Sequence, residues 1–159
     1  MKTHSRYAKK LERKRVLICL VVFFALLPVF SYLHEAGHAL VCTADGNEAE
    51  ISVDIISGGL TLCHGDVSNL FAYKISGGLL AGIVGTTIGI ALFRWKIPFI
   101  AVTTIGVGHL INAIIETFAD SYFTHGGEWS AFMGLVEVVI FFALLIIFDR
   151  KMVKRNDVL

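Results

Sequence analysis

Four apolar runs, each about as long as a bilayer is thick, leave this chain few ways to fold. They extend from about Val16 to Val41, from Ile75 to Phe93, from Ile97 to Ile115 and on toward Asp120, and from Trp129 to Phe148. Glu137 is the only carboxylate inside the fourth run. A helix crosses the hydrocarbon core with about twenty mostly apolar residues. No water is present there to satisfy a bare backbone, so such runs become helices. With 55% hydrophobic residues and a mean hydropathy of +0.72 over 159 residues, a soluble domain is excluded. The expected fold class is an all-α polytopic membrane protein of about four transmembrane helices.

Charge placement orients those spans. Lys2, Arg6, Lys9, Lys10, Arg13, Lys14 and Arg15 precede the first run; Arg150, Lys151, Lys154 and Arg155 follow the last; Arg94 and Lys96 separate the second from the third. With residues 1–15 cytoplasmic, each of these clusters falls on the cytoplasmic side, as does the tail 149–159. The acidic stretch Asp45–Asp66 then falls outside. The basic clusters are read as flanks of membrane spans, not as a nucleic-acid surface. A basic segment followed by an apolar one also describes a signal peptide. No small-residue cleavage site follows here, and the first run is read as a retained span. The expected location is an integral membrane protein of a prokaryotic cytoplasmic membrane, both termini cytoplasmic.

The transmembrane unit is expected over residues 16–148, with spans at about 16–41, 75–93, 97–118 and 129–148. Its one sizeable polar segment is the loop 44–73. There Ile51-Ser52-Val53-Asp54-Ile55 alternates, Gly58-Gly59 interrupts, and Leu60-Thr61-Leu62 resumes. This predicts a small β-hairpin between the first and second spans. In the second span Gly78, Gly82, Gly85 and Gly89 share one helix face, which predicts close helix packing. Cys19, Cys42 and Cys63 form no paired spacing and predict no disulfide framework. A Cys42–Cys63 bridge is conceivable in an oxidising compartment, but free thiols are the preferred expectation. Trp95 and Trp129 are read as interfacial anchors.

The chemistry is concentrated in His34-Glu35-Ala36-Gly37-His38. HExxH on a helix sets two imidazoles one turn apart on one face, within reach of one zinc ion, with a glutamate beside them to take a proton from water. A catalytic zinc needs a third protein ligand. His109, Asn112, Glu116 and Asp120 form one polar stripe along the third span, and Glu116 and Asp120 lie at the depth of the two histidines. Polar groups placed so inside a bilayer must pair with one another, with a metal or with water. Either Asp120 or Glu116 can complete the site, and Asp120 is preferred. His64 and His125 read as loop residues. Glu137 is an intramembrane carboxylate that can face His109 or Asn112 across the bundle.

These residues resemble the site-2 protease family of intramembrane zinc metalloproteases. The stretch His34-Glu35-Ala36-Gly37-His38-Ala39-Leu40 is similar to that family's first motif. Asn112 and Asp120 keep the spacing of its second motif, Asn-x-x-Pro-x-x-x-x-Asp-Gly. A hairpin bearing Gly-Gly between the first two core helices also fits, and the resemblance covers roughly residues 16–125. The departures are Ile115 at the motif's proline, Ser121 at its final glycine, and Gly77-Gly78 where a Gly-Pro element is common. The implied site also lies nearer the non-cytoplasmic face than in many members. The rival pattern is Glu116-x-x-x-Asp120, similar to zincins that ligate through glutamate, including the CaaX prenyl-protease type; Asp120 would then orient a histidine from behind.

The resemblance implies hydrolysis of peptide bonds in membrane-spanning or membrane-proximal protein substrates. It implies one catalytic zinc on His34, His38 and Asp120, with Glu35 as general base. Asn112 and the hairpin around Gly58 and Gly59 would hold an unwound substrate segment. The implied partners are that substrate, the lipid bilayer and a possible regulatory membrane protein; nucleic acid is not among them. Two other classes remain open: a non-catalytic membrane binding protein of the same fold, and a small metal-binding or metal-transport protein.

Overall fold

The computed structural model describes residues 2–54, 58–119 and 126–156. Four helices and one hairpin follow in the order α1 (Lys2–Ala44), β1 (Glu48–Asp54), β2 (Gly58–His64), α2 (Leu70–Ala91), α3 (Lys96–Phe118) and α4 (Gly126–Asn156). Among the described residues, three helical segments are long and apolar enough to cross a membrane: Lys14–Ala44, Leu70–Ala91 and Lys96–Phe118. α4 adds a shorter apolar stretch, Phe132–Phe148. Large apolar side chains such as Val21, Phe24, Ile83, Ile114 and Val139 point outward. A soluble protein would not carry so much outward apolar surface.

Several helix ends lie beyond the apolar runs. α1 begins far upstream of Val16, because Lys, Arg, Leu and Glu are good helix formers and nothing in the basic segment breaks the pattern. Pro28 lies inside α1 without ending it. α2 starts five residues before Ile75, where Asn69 caps it by accepting from the Ala72 amide at 2.9 Å.

α3 is the central helix and packs against α1, α2 and α4. Its contact with α2 is made almost backbone to backbone. Gly77, Gly78, Ala81, Gly82, Gly85 and Gly89 are all buried on α2. A methyl group built on Gly78 would stand 2.5 Å from the Ala113 nitrogen and 2.6 Å from the His109 carbonyl oxygen. On α1, Cys19, Phe23, Phe30, His34, His38 and Cys42 are buried in helical register. One face of α1 thus runs from the apolar core through both histidines to a cysteine. Phe141 of α4 closes the apolar end, its ring 5.5 Å from that of Phe23.

β1 and β2 pair antiparallel, with Ile51 opposite Thr61 and Asp54 opposite Gly58. Gly58 needs its missing side chain, since its φ is +87°. The hairpin packs on α1; two sets of side-chain hydrogen bonds close its base and a disulfide ties β2 to the helix. Asn47 donates to the Asp66 carbonyl at 2.8 Å. The Ser68 hydroxyl and amide donate to Asp45 at 2.7 and 2.8 Å. These two bonds hold the exposed Asp45 carboxyl below the usual carboxylate range. Finally, Cys42 and Cys63 form a disulfide across 21 positions.

The disulfide corrects the free-thiol expectation. Cys42 lies one turn beyond His38 on the buried face of α1, and the hairpin register brings Cys63 onto it. Closing such a loop stabilises by about 3 kcal/mol in the chain-entropy account. Replacing both cysteines by serine should therefore lower the melting temperature. It should also raise hydrogen exchange in residues 48–64 before it does so in α2 and α3. Unchanged exchange in the hairpin would show that the polar ties suffice.

Candidate metal centre

Three side chains from two helices converge at the hairpin end of the bundle. The spacing of four on α1 stacks His34 and His38, and α3 presents Glu116 to both. His34 Nε2 lies 3.2 Å from His38 Nε2 and 3.3 Å from Glu116 Oε2. His38 Nε2 lies 3.3 Å from Glu116 Oε1. His34 is 6% exposed, His38 4% and Glu116 2%, so solvent does not screen the group. Among the described residues this is the one His/Cys/Asp/Glu cluster able to hold a metal ion.

The donor spacing can be tested against an ion. Tetrahedral ligands about 2.0 Å from a metal are about 3.3 Å from one another. The His34–His38 separation matches that edge, and each histidine meets a different oxygen of the Glu116 carboxylate at the same spacing. A single proton would bridge only one of the three pairs, whereas a cation serves all of them. The imidazole of His38 is also oriented from behind: its Nδ1 donates to the Tyr73 carbonyl at 2.7 Å, which leaves the Nε2 lone pair facing the group. A backbone carbonyl behind a histidine is a usual support of metal ligation. Gly77 makes room for this ring, since a side chain there would collide with it.

Glu35 is buried (7% exposed) beside the two histidines and faces the hairpin. The Thr61 hydroxyl lies 2.8 Å from Glu35 Oε2 and 2.9 Å from the Glu35 carbonyl oxygen, donating to this pair of acceptors. A methyl group on Gly59 would overlap the Glu35 side chain, so a glycine there lets the carboxylate lie flat against β2. Gly58 has open space around its Cα.

Asn112 is buried one turn before Glu116 on the same face of α3. His109 continues the stripe inward. Its ring packs 5.2 Å from that of His34 and stacks on Phe30 at 6.2 Å. Glu137 lies against Gly108, on the turn next to His109. His64 stands 3.9 Å from Glu50 at the open end of the hairpin, both exposed. Asp120 and His125 lie outside the described residues.

Among the two candidate third ligands, the described carboxylate that meets both histidines is Glu116. Thr61 and Tyr73 were not legible beforehand. Thr61 is one inward-facing residue of a short strand, and Tyr73 acts through its backbone. The signal for Thr61 was its position two residues after Gly59, on the same strand face.

No family model, no curated protein and no solved structure matches this chain.

Proposed function

We propose that this chain is a membrane-embedded zinc endopeptidase with a site-2 protease-like core, taking His34, His38 and Glu116 as its metal ligands. The observation that carries the proposal is the buried convergence of His34, His38 and the two carboxylate oxygens of Glu116 at 3.2–3.3 Å, with Glu35 beside it. Zinc bound there would acidify a water and polarise a peptide carbonyl. Glu35 is the general base: it takes the proton of the attacking water and returns it to the leaving amine as the C–N bond breaks. The Thr61 hydroxyl holds one carboxylate oxygen of Glu35 in place, leaving the other for the proton. Asn112, buried one turn before Glu116, would offer its amide to an unwound substrate backbone. The exposed edge of the hairpin offers hydrogen bonds to the same extended segment.

The proposed topology has four spans, α4 being the last, with both ends of the chain cytoplasmic and the hairpin outside. The Cys42–Cys63 disulfide supports that orientation, since disulfides persist in oxidising compartments. A transport function would need ligands at several depths. Among the described residues the single metal-binding group, at one end of the bundle, favours hydrolysis.

The test is hydrolysis itself. Zinc-loaded protein reconstituted in lipid is expected to cut single-span polypeptides near their outer membrane boundary, giving new termini by mass spectrometry. Chelation should abolish cutting, and added zinc should restore it. Turnover that survives complete removal of metal, or no turnover across a broad library of single-span substrates, would overturn the proposal.

A further inference from the structure

The opposite end of the bundle carries a second feature, which the proposed hydrolysis does not use. A cleft of about 710 Å³ opens there between α1, α3 and α4. Ile100 precedes Glu116 by sixteen positions on α3, and Cys19 precedes His34 by fifteen on α1. At 1.5 Å per helical residue the cleft is about 22–24 Å from the metal centre.

Its walls are apolar: Ile97 and Ile100 on α3, Phe142 and Ile146 on α4. Its lip carries Arg15, Arg94 and Lys96. No carboxylate is among its described lining residues. Trp95, 68% exposed, sits on the same lip, where an indole marks the level of lipid headgroups. The size is that of a small-molecule site.

We infer that this cleft is a binding site for one anionic phospholipid, its phosphate on Arg15, Arg94 and Lys96 and an acyl chain in the gap between α1, α3 and α4. The apolar walls require a chain, which a soluble phosphate lacks. The cations require a net negative headgroup, which phosphatidylcholine lacks. Basic pockets between membrane helices recognise lipid headgroups in this manner, each cation near the surface contributing about fivefold in affinity. The cleft also explains why α4 rests mainly on α3. A lipid chain completes the packing that α1 and α4 leave open at this end.

Trp95 provides the readout. In Trp129→Phe protein Trp95 is the sole tryptophan and can be excited selectively. Purified full-length protein in detergent is titrated with phosphatidylglycerol bearing brominated chains, and separately with brominated phosphatidylcholine. Phosphatidylglycerol is expected to quench Trp95 at about hundredfold lower mole fraction than phosphatidylcholine. Arg94→Gln or Lys96→Gln alone should weaken that quenching about fivefold, and both together about 25-fold, with phosphatidylcholine unaffected. Both side chains are exposed, so neither substitution disturbs the core. Equal quenching by the two lipids would mean ordinary annular contact and overturn the inference. So would a preference that survives both substitutions. Displacement by millimolar glycerol phosphate would replace the lipid site with a soluble-anion site. None of these outcomes depends on whether the metal centre hydrolyses peptides.

Discussion

Glu35→Gln is expected to leave bound zinc at the parent level while lowering peptide hydrolysis by about a hundred- to ten-thousandfold, the range of a general base. Glutamine keeps the shape of the side chain. It still accepts from the Thr61 hydroxyl, now at 2.8 Å from Glu35 Oε2, and still lies against Gly59. The three metal donors are on other residues. What is lost is a basic oxygen able to carry a proton from water to the leaving amine. Quantifying zinc and turnover on the same preparation separates this from misfolding. Full activity in Glu35→Gln would confine Glu35 to anchoring the hairpin and would remove the proposed mechanism.

The second large effect is expected from a single methyl group. Replacing glycine by alanine inside a helix is ordinarily favourable by up to about 1 kcal/mol. At Gly78 the sign should reverse. The new methyl meets the Ala113 nitrogen at 2.5 Å and the His109 carbonyl oxygen at 2.6 Å, and both are backbone atoms of α3 that cannot rotate away. Overpacking of this kind costs about 1–3 kcal/mol. The helices must separate, and Glu116, one turn beyond Ala113, moves with α3 away from His38. Gly78→Ala should therefore lower the melting temperature and the zinc affinity together. Gly134→Ala is the control: nothing stands within 4 Å of its new methyl, and stability should hold or rise. Equal melting temperatures for the two variants would contradict the close α2–α3 contact.

Periodic features were legible in the sequence. The apolar runs, the alternation around Ile51 and Leu62, and the glycine stripe from Gly78 to Gly89 each repeat with the period of their element. Each appears in the structure as a helix, a hairpin or a packed face. The HExxH pair was legible because four-residue spacing alone stacks His34 on His38. The third donor was open between two carboxylates, because four-residue spacing gives Glu116 and Asp120 equal claims on an ideal helical wheel. Glu116 meets both histidines, and that contact depends on the depth at which α3 passes α1, set by backbone contacts such as Gly78 with Ala113.

The disulfide was missed for a similar reason. Cys42 and Cys63 are 21 positions apart, and only the hairpin register, with Ala49 opposite Cys63, brings them together. Two signals pointed that way. Cys42 continues the buried histidine face of α1, and Cys63 follows Thr61 by two positions on β2. α1 begins upstream of the apolar run because hydropathy marks where a membrane begins and not where a helix begins. Tyr73 contributes only a carbonyl oxygen, which no side-chain pattern reveals.

The most direct test of the central claim is zinc per chain in detergent-purified protein, measured on the parent, His38→Ala, Glu116→Ala and Asp120→Ala. The account predicts about one zinc in the parent, loss in His38→Ala and Glu116→Ala, and retention in Asp120→Ala. Zinc retained by Glu116→Ala and lost by Asp120→Ala, or absent from a zinc-supplied parent, would contradict it.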